Sequence, residues 1–179
     1  MTLEHTSVPH WAATPPAVPA TARQVTVLGI GSAAGPVVRG WEFACRELGL
    51  RPAVLLAGSA EEAMPRLAVQ LQGASVGWRL LVAGPEADVL RARSRALEAG
   101  AVPAEVLTFV TGVPVRRVHC AHCRTETETG AAVGGTCPCA GCGRTLHVYH
   151  HVSRRLGAYL GYMIDAEDAA PAHVSGGPA

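Results

Sequence analysis

The spacing of apolar positions changes along the chain, and the changes divide it. From Gln24 the run Val25-Thr26-Val27-Leu28 ends in Gly29-Ile30-Gly31, which predicts a strand buried on both faces and a glycine turn after it. Val37, Trp41, Ala44, Cys45 and Leu48 then recur at three- and four-residue steps, predicting a helix over 37–48 that Gly49 stops. A second strand, Ala53 to Leu56, leads through Gly58 and Ser59 into a helix reaching about Leu71, with Ser59 in the capping position and Glu61 and Glu62 in the first turn. The unit repeats. Arg79-Leu80-Leu81-Val82 turns at Ala83-Gly84-Pro85, a helix carrying Val89, Leu90, Ala96 and Leu97 ends at Gly100, and Val106 to Val110 forms a last strand. Strands alternating with helices of this length predict an α/β fold, a small parallel sheet with flanking helices and right-handed crossovers.

Beyond residue 115 the period shortens. Thr125 to Thr129 suits an exposed strand and Gly130, Gly134 and Gly135 a turn, so the stretch reads as the two arms of a hairpin. Leu146, Val148, His150 and Val152 alternate with Thr145, His147, Tyr149 and His151, the pattern of a half-buried strand that sets His150 and His151 on opposite faces. After it, Ser153 as a cap and Leu156, Tyr159, Leu160 and Met163 on one face predict a C-terminal helix, with Gly157 and Gly161 opening a groove for close packing. Residues 1–22 and 169–179 show no period and read as tails, the first rich in Pro and Ala and ordered only if a partner holds it.

Composition narrows the function classes. Of the 179 residues 49% are hydrophobic, enough for a sizeable core in one or two units. The basic residues are all arginine and the formal net charge is +1, so no broad field exists to attract nucleic acid or an acidic membrane. No apolar stretch has membrane-spanning length and the start MTLEHTSVPHW lacks the order of a secretory signal, so the expected location is cytoplasmic.

In a reducing compartment, clustered C-x-x-C pairs read as metal binding rather than as disulfides. Cys120, Cys123, Cys139 and Cys142 form C-x2-C-x15-C-x2-C, the spacing of a zinc ribbon in which two knuckles close a tetrahedron of thiolates. Cys137 stands too close to Cys139 to share a knuckle and reads as a spare thiol. His119 and His122 flank the first knuckle and are expected in solvent rather than on the metal. Iron in a rubredoxin-like site is the alternative to zinc.

Two resemblances add to this reading. The runs VLGIGSAAGP, LLVAGPEADVLRARSRALEAG and VPAEVLTF within 23–112 resemble the nucleotide-binding half of a ferredoxin reductase. That likeness implies a vestigial nucleotide site at Gly29, Gly31, Gly84 and Pro85, with Arg39, Arg46 and Arg51 available to phosphates; Ala83 stands where the family has a cysteine, and Pro36 falls two residues late. The CxxC pair and LHVYHHVSRRLGAYLGYM resemble the C-terminal region of the small DmmA-type subunit of bacterial dimethylamine monooxygenase. This resemblance implies a non-catalytic subunit of an oxygenase complex that demethylates a secondary amine with reduced nicotinamide. Zinc would be its own metal, with haem, flavin and iron-sulfur groups on partner subunits. The expected organisation is an α/β reductase-like unit at 23–114 and a zinc ribbon with its C-terminal helix at 115–168. Aromatic and arginine residues concentrate binding energy, which marks Tyr149, His151, Arg154, Arg155, Tyr159 and Tyr162 as a contact with another subunit. Nucleic acid and membrane are not among the expected partners. An electron-transfer component, binding NAD(P)H on the α/β unit with iron in the cysteines, is the competing reading.

Overall fold

A computed structural model describes residues 7–164; the sequence-based tail at 169–179 and the last residues assigned to the ribbon lie outside them. Four parallel strands form the first sheet in the order β2-β1-β3-β4: β1 Gln24–Ile30, β2 Ala53–Ala57, β3 Trp78–Pro85 and β4 Val106–Gly112. Helices α1 Gly35–Glu47, α2 Ala60–Gln72 and α3 Glu86–Glu98 connect them. The α/β reading from periodicity is borne out, element by element. Ser59 caps α2 as expected, its hydroxyl accepting from the Glu62 N–H at 3.4 Å. The core lies on both faces of the sheet. One side packs Leu28, Ile30, Leu67, Leu80 and Val82 against α2 and α3, and the other packs Val25, Val27 and Leu81 against Val38, Trp41 and Cys45 of α1.

A second, five-stranded sheet follows in the order β6-β5-β9-β8-β7. Its strands are β5 Arg116–Cys120, β6 Glu126–Thr129, β7 Thr136–Pro138, β8 Thr145–Ser153 and β9 Ala158–Met163. The predicted C-terminal helix is therefore a strand. β9 runs between β5, to which it is parallel, and β8, to which it is antiparallel, and so satisfies the backbone groups of two strands that would otherwise be sheet edges. The glycines spaced four apart do different work from a helix groove. Gly157 takes φ +60° in the β8–β9 turn, where a Cβ would come within 2.5 Å of the Leu90 carbonyl oxygen. Gly161 lies in the strand, where a Cβ would come within 2.6 Å of Val118. Nor do the arms between the cysteine pairs form one hairpin. β6 pairs with β5 and β7 with β8, so each cysteine pair sits at the tip of its own hairpin.

Helix α3 is the seam. Val89, Ala92 and Ala96 face the first sheet's core while Leu90 enters the core of the second, beside Val118, Leu146, Val148 and Tyr159. At its first residue Glu86, 3% exposed, accepts hydrogen bonds from Trp11 Nε1 at 2.7 Å and the Tyr159 hydroxyl at 3.1 Å. Arg116 Nε faces the same carboxylate at 3.7 Å. Residues 7–22 are held by the chain itself rather than waiting for a partner. Val18 and Ala22 are buried beside α1, Trp41 donates to the Pro16 carbonyl at 2.8 Å, and Ser7 bridges to His151. Scattered anchors without a period explain why the pattern gave no sign of it.

Candidate metal centre

The two cysteine pairs are built alike. In the first, Arg124 N–H donates to the Cys120 carbonyl at 2.9 Å and Cys120 N–H to the Thr125 carbonyl at 3.0 Å. In the second, Gly143 N–H donates to the Cys139 carbonyl at 3.0 Å and Cys139 N–H to the Arg144 carbonyl at 2.9 Å. The residue after each second cysteine is left-handed, Arg124 at φ 64° and Gly143 at φ 71°. Thr127 joins the two turns, its hydroxyl accepting from Ala140 N–H at 3.0 Å, and a Cβ on Gly141 would collide with the side chain of Thr125.

This frame converges the sulfur atoms of Cys120, Cys123, Cys139 and Cys142 to within 4.8 Å of one another, with Cys120–Cys142 at 3.9 Å and Cys123–Cys139 at 3.5 Å. A tetrahedron with metal–sulfur arms of about 2.3 Å has edges of about 3.8 Å, so the four sulfurs fit one ion of that size. The thiols differ in acidity. The Thr125 hydroxyl and backbone lower the Cys123 thiol to about 6. At Cys142 the backbone N–H of Arg144 pulls downward, but burial and the neighbouring thiols push it up to about 11. Four thiolates gathered at one point repel one another. A divalent ion removes that conflict, and its affinity falls as pH falls because protons compete for the same sulfurs.

The left-handed positions yield a prediction. An L-residue there costs about 1–2 kcal/mol relative to glycine. Gly143→Val will therefore lower stability by about that amount and weaken metal retention, while Arg124→Gly will be neutral or stabilising. Chemical denaturation with metal analysis of both variants checks it; equal effects would show that the two turns do not share this geometry.

Cys137 lies buried in β7 outside the four-sulfur group. His122 is exposed, but His119 is half-buried with its Nδ1 enclosed and unpartnered, contrary to the expected solvent exposure. His119 sits in the register of β5 opposite Glu126 of β6 and Leu160 of β9.

The glycine positions gather at the C-terminal ends of β1 and β3, where Gly29 pairs with Ala83. Packing accounts for two of them. A Cβ at Gly29 would come within 2.6 Å of Val38, and one at Gly84 within 3.0 Å of the Ile30 carbonyl oxygen. Gly31 turns at φ 75°. An open cleft of about 400 Å³ adjoins it, lined by Gly31, Ser32, Gly35, Gly58 and Glu62 on the β2 side. Pro85 lines a neighbouring depression with Pro114 and Glu128 that shares Gly58 with the cleft, and its Cδ lies 4.0 Å from where a Cβ on Gly31 would stand.

Of the surface expected to bind a subunit, Tyr149 and Tyr162 are exposed and stack edge to face at 5.4 Å. Arg154 and Arg155 are exposed and His151 is half-buried. Tyr159 is not part of it: at 1% exposure it is buried against Glu86 and Arg116, its hydroxyl pushed up to about 12 by burial and by that carboxylate. The register of β8 against β9 shifts between Val148 and Val152. The His150 ring consequently lies 6.4 Å from Tyr149 and 6.5 Å from His147, on their side of the strand rather than on the opposite one.

Comparison with known proteins bears on this region directly. The family model described as "Dimethylamine monooxygenase subunit DmmA-like, C-terminal domain" matches residues 117–162. The chain is 39% identical over 101 residues to the heme-dependent oxidative N-demethylase delta subunit of Ectopseudomonas mendocina (strain ymp). That match covers 56% of this chain and 57% of the relative, so the chain spans little more than half the length of the curated relative it matches. No solved structure matches the chain. Residues 117–162 hold all four clustered cysteines and most of the LHVYHHVSRRLGAYLGYM run, so the likeness to the DmmA-like C-terminal domain falls on the candidate metal centre.

Proposed function

We propose that this chain is a zinc-bearing, non-catalytic subunit of a multi-component oxidative N-demethylase, one that oxidatively demethylates a secondary amine such as dimethylamine with reduced nicotinamide. The observation that carries the reading is the closed set of four sulfurs at the tips of two hairpins, in the stretch that the DmmA-like family model matches. Four protein thiolates leave no ligand position for substrate or water, which is the character of a structural site rather than of a catalytic one. The zinc ribbon then serves to hold a surface, and haem, flavin and iron-sulfur chemistry belongs to the other subunits.

The position after Pro85 supports the non-catalytic reading. In the reductase-like family this end of the β3 strand borders the nicotinamide, and here Glu86 is covered by Trp11, Arg116 and Tyr159 of the same chain. One observation favours the competing reading, in which the α/β unit binds NAD(P)H and the cysteines carry iron for electron transfer. The cleft beside Gly31 and Gly58 lies at the C-terminal end of parallel strands, where such sheets take nucleotides.

The subunit contact belongs to Tyr149 and Tyr162. Paired exposed tyrosines offer rigid apolar area with a polar tip, the chemistry of binding hot spots. Replacing both Tyr149 and Tyr162 by Ser will leave metal content and melting temperature unchanged. It will weaken assembly with the other subunits by about 2–4 kcal/mol, the range for hot-spot truncation. Size-exclusion chromatography of the reconstituted complex reads the result. Native-like assembly by the double variant would move the contact elsewhere, and turnover of amine by this chain alone would overturn the subunit reading itself.

A further inference from the structure

Between α3, β8 and the segment from Ser7 to Trp11 lies a cavity of about 460 Å³, remote in chemistry from both the cysteines and the glycine cleft. Its walls divide by character. Trp11, Leu90 and Val152 give apolar surface, while Arg93 from α3 and Arg154 from the end of β8 bring two guanidinium groups to the same space, with His10 beside them. Among the described residues no carboxylate lines the cavity, and neither Arg93 nor Arg154 forms an ion pair. The nearby buried carboxylate, Glu86, is engaged instead by Trp11, Tyr159 and Arg116. Burial and the charge of Arg154 both lower the pKa of Arg93, so the two cations are close enough to repel. Like charges set in a partly apolar enclosure are relieved by an anion between them, and a guanidinium fork matches phosphate or carboxylate oxygens in pairs. The volume falls within the roughly 300–1,000 Å³ of small-molecule pockets.

We propose that this cavity binds a small organic oxyanion, a phosphate or carboxylate on a compact apolar or aromatic body. Arg93 and Arg154 hold the oxyanion, and Trp11, Leu90 and Val152 receive the body. The apolar wall is what distinguishes such a ligand from a bare inorganic ion. The site goes beyond the subunit reading and stands without it, since none of the four clustered cysteines lines the cavity.

Phenyl phosphate, benzoate and inorganic phosphate serve as probes, titrated into the metal-loaded full chain by calorimetry. The expected result is that phenyl phosphate or benzoate binds at least about tenfold more tightly than inorganic phosphate, and that Arg93→Gln and Arg154→Gln each weaken it by about tenfold. Melting curves of both variants confirm that they fold. Absence of binding to the native chain, or binding unchanged in the double variant, overturns the proposal. A further chain with Glu4, Asp165, Glu167 and Asp168 changed to their amides separates one rival. Should that chain bind phenyl phosphate where the native chain does not, the arginines are served by the protein's own acidic termini and the small-molecule site is overturned.

Discussion

Replacing Cys139 by Ser will strip the metal from a chain that otherwise holds about one zinc ion. Cys139 is 3% exposed, its sulfur accepts from Gly141 N–H at 3.4 Å, and it lies 3.5 Å from Cys123, so a hydroxyl in its place leaves three thiolates around a position shaped for four. Structural zinc contributes on the order of 10 kcal/mol to folding in small metal-dependent units, and a large part of that is lost with one ligand. The loss will be local. Hydrogen exchange will rise across residues 116–164, while the parallel sheet, which contains none of the ligands, keeps its protection. Cys137→Ser is the control and will retain the ion. Metal analysis decides the outcome, and full zinc retention in Cys139→Ser would sink the ligand assignment. The absorption spectrum of the native chain discriminates the rival metal, because iron thiolates colour a protein and zinc, with a filled d shell, does not.

The second large effect is expected at Glu86. Changing it to Ala removes the acceptor for Trp11 and Tyr159 and leaves Arg116, whose Nε is enclosed without a hydrogen bond, facing no carboxylate. Breaking a buried charge pair by deleting one partner costs about 3–5 kcal/mol. For a chain of this size that corresponds to a fall in melting temperature of about 10 °C. Tyr159→Phe, which deletes one donor, will cost about 1 kcal/mol. Three parts of the molecule meet at this carboxylate: the segment before β1, helix α3 and the second sheet. Denaturation of Glu86→Ala will therefore separate into two transitions, one for each sheet. A loss under about 1 kcal/mol, with a single transition, would show that Leu90 and its apolar neighbours hold the seam without the charge.

The parallel sheet was legible because its two central strands are covered on both faces, so Val25-Thr26-Val27-Leu28 and Leu80-Leu81-Val82 carry the signal in a few adjacent residues. Ser59 and the C-x-x-C pairs were legible for a related reason, since a cap and a knuckle are defined by local spacing. What escaped is what depends on partners distant in sequence. The segment Ala158–Met163 has helical spacing of apolar groups, and only the open edges of β5 and β8 make it a strand. Nothing in the neighbours of Tyr159 reveals Glu86, which lies 73 positions away, so its local pattern gives no sign of its burial. Leu90 follows Val89 directly, so a single-faced helix pattern gives no hint that the pair serves two cores. Arg93 and Arg154 likewise meet only through the packing of α3 on the second sheet.

The order of strands in that second sheet carries a consequence for how the chain comes off the ribosome. β9, the last strand among the described residues, occupies the middle of the sheet, and β5 and β8 touch each other only through it. The parallel sheet closes with contacts complete by Gly112 and can form during synthesis. The second sheet cannot. Until Met163 has emerged, two hairpins wait with facing edges unpaired, each able to accept a strand from another nascent chain. Non-local pairing of this kind is slow, because loop closure precedes the contacts that reward it. Metal captured early would draw the two hairpin tips together and shorten that wait, which gives the ion a kinetic role during biosynthesis as well as a thermodynamic one in the finished fold.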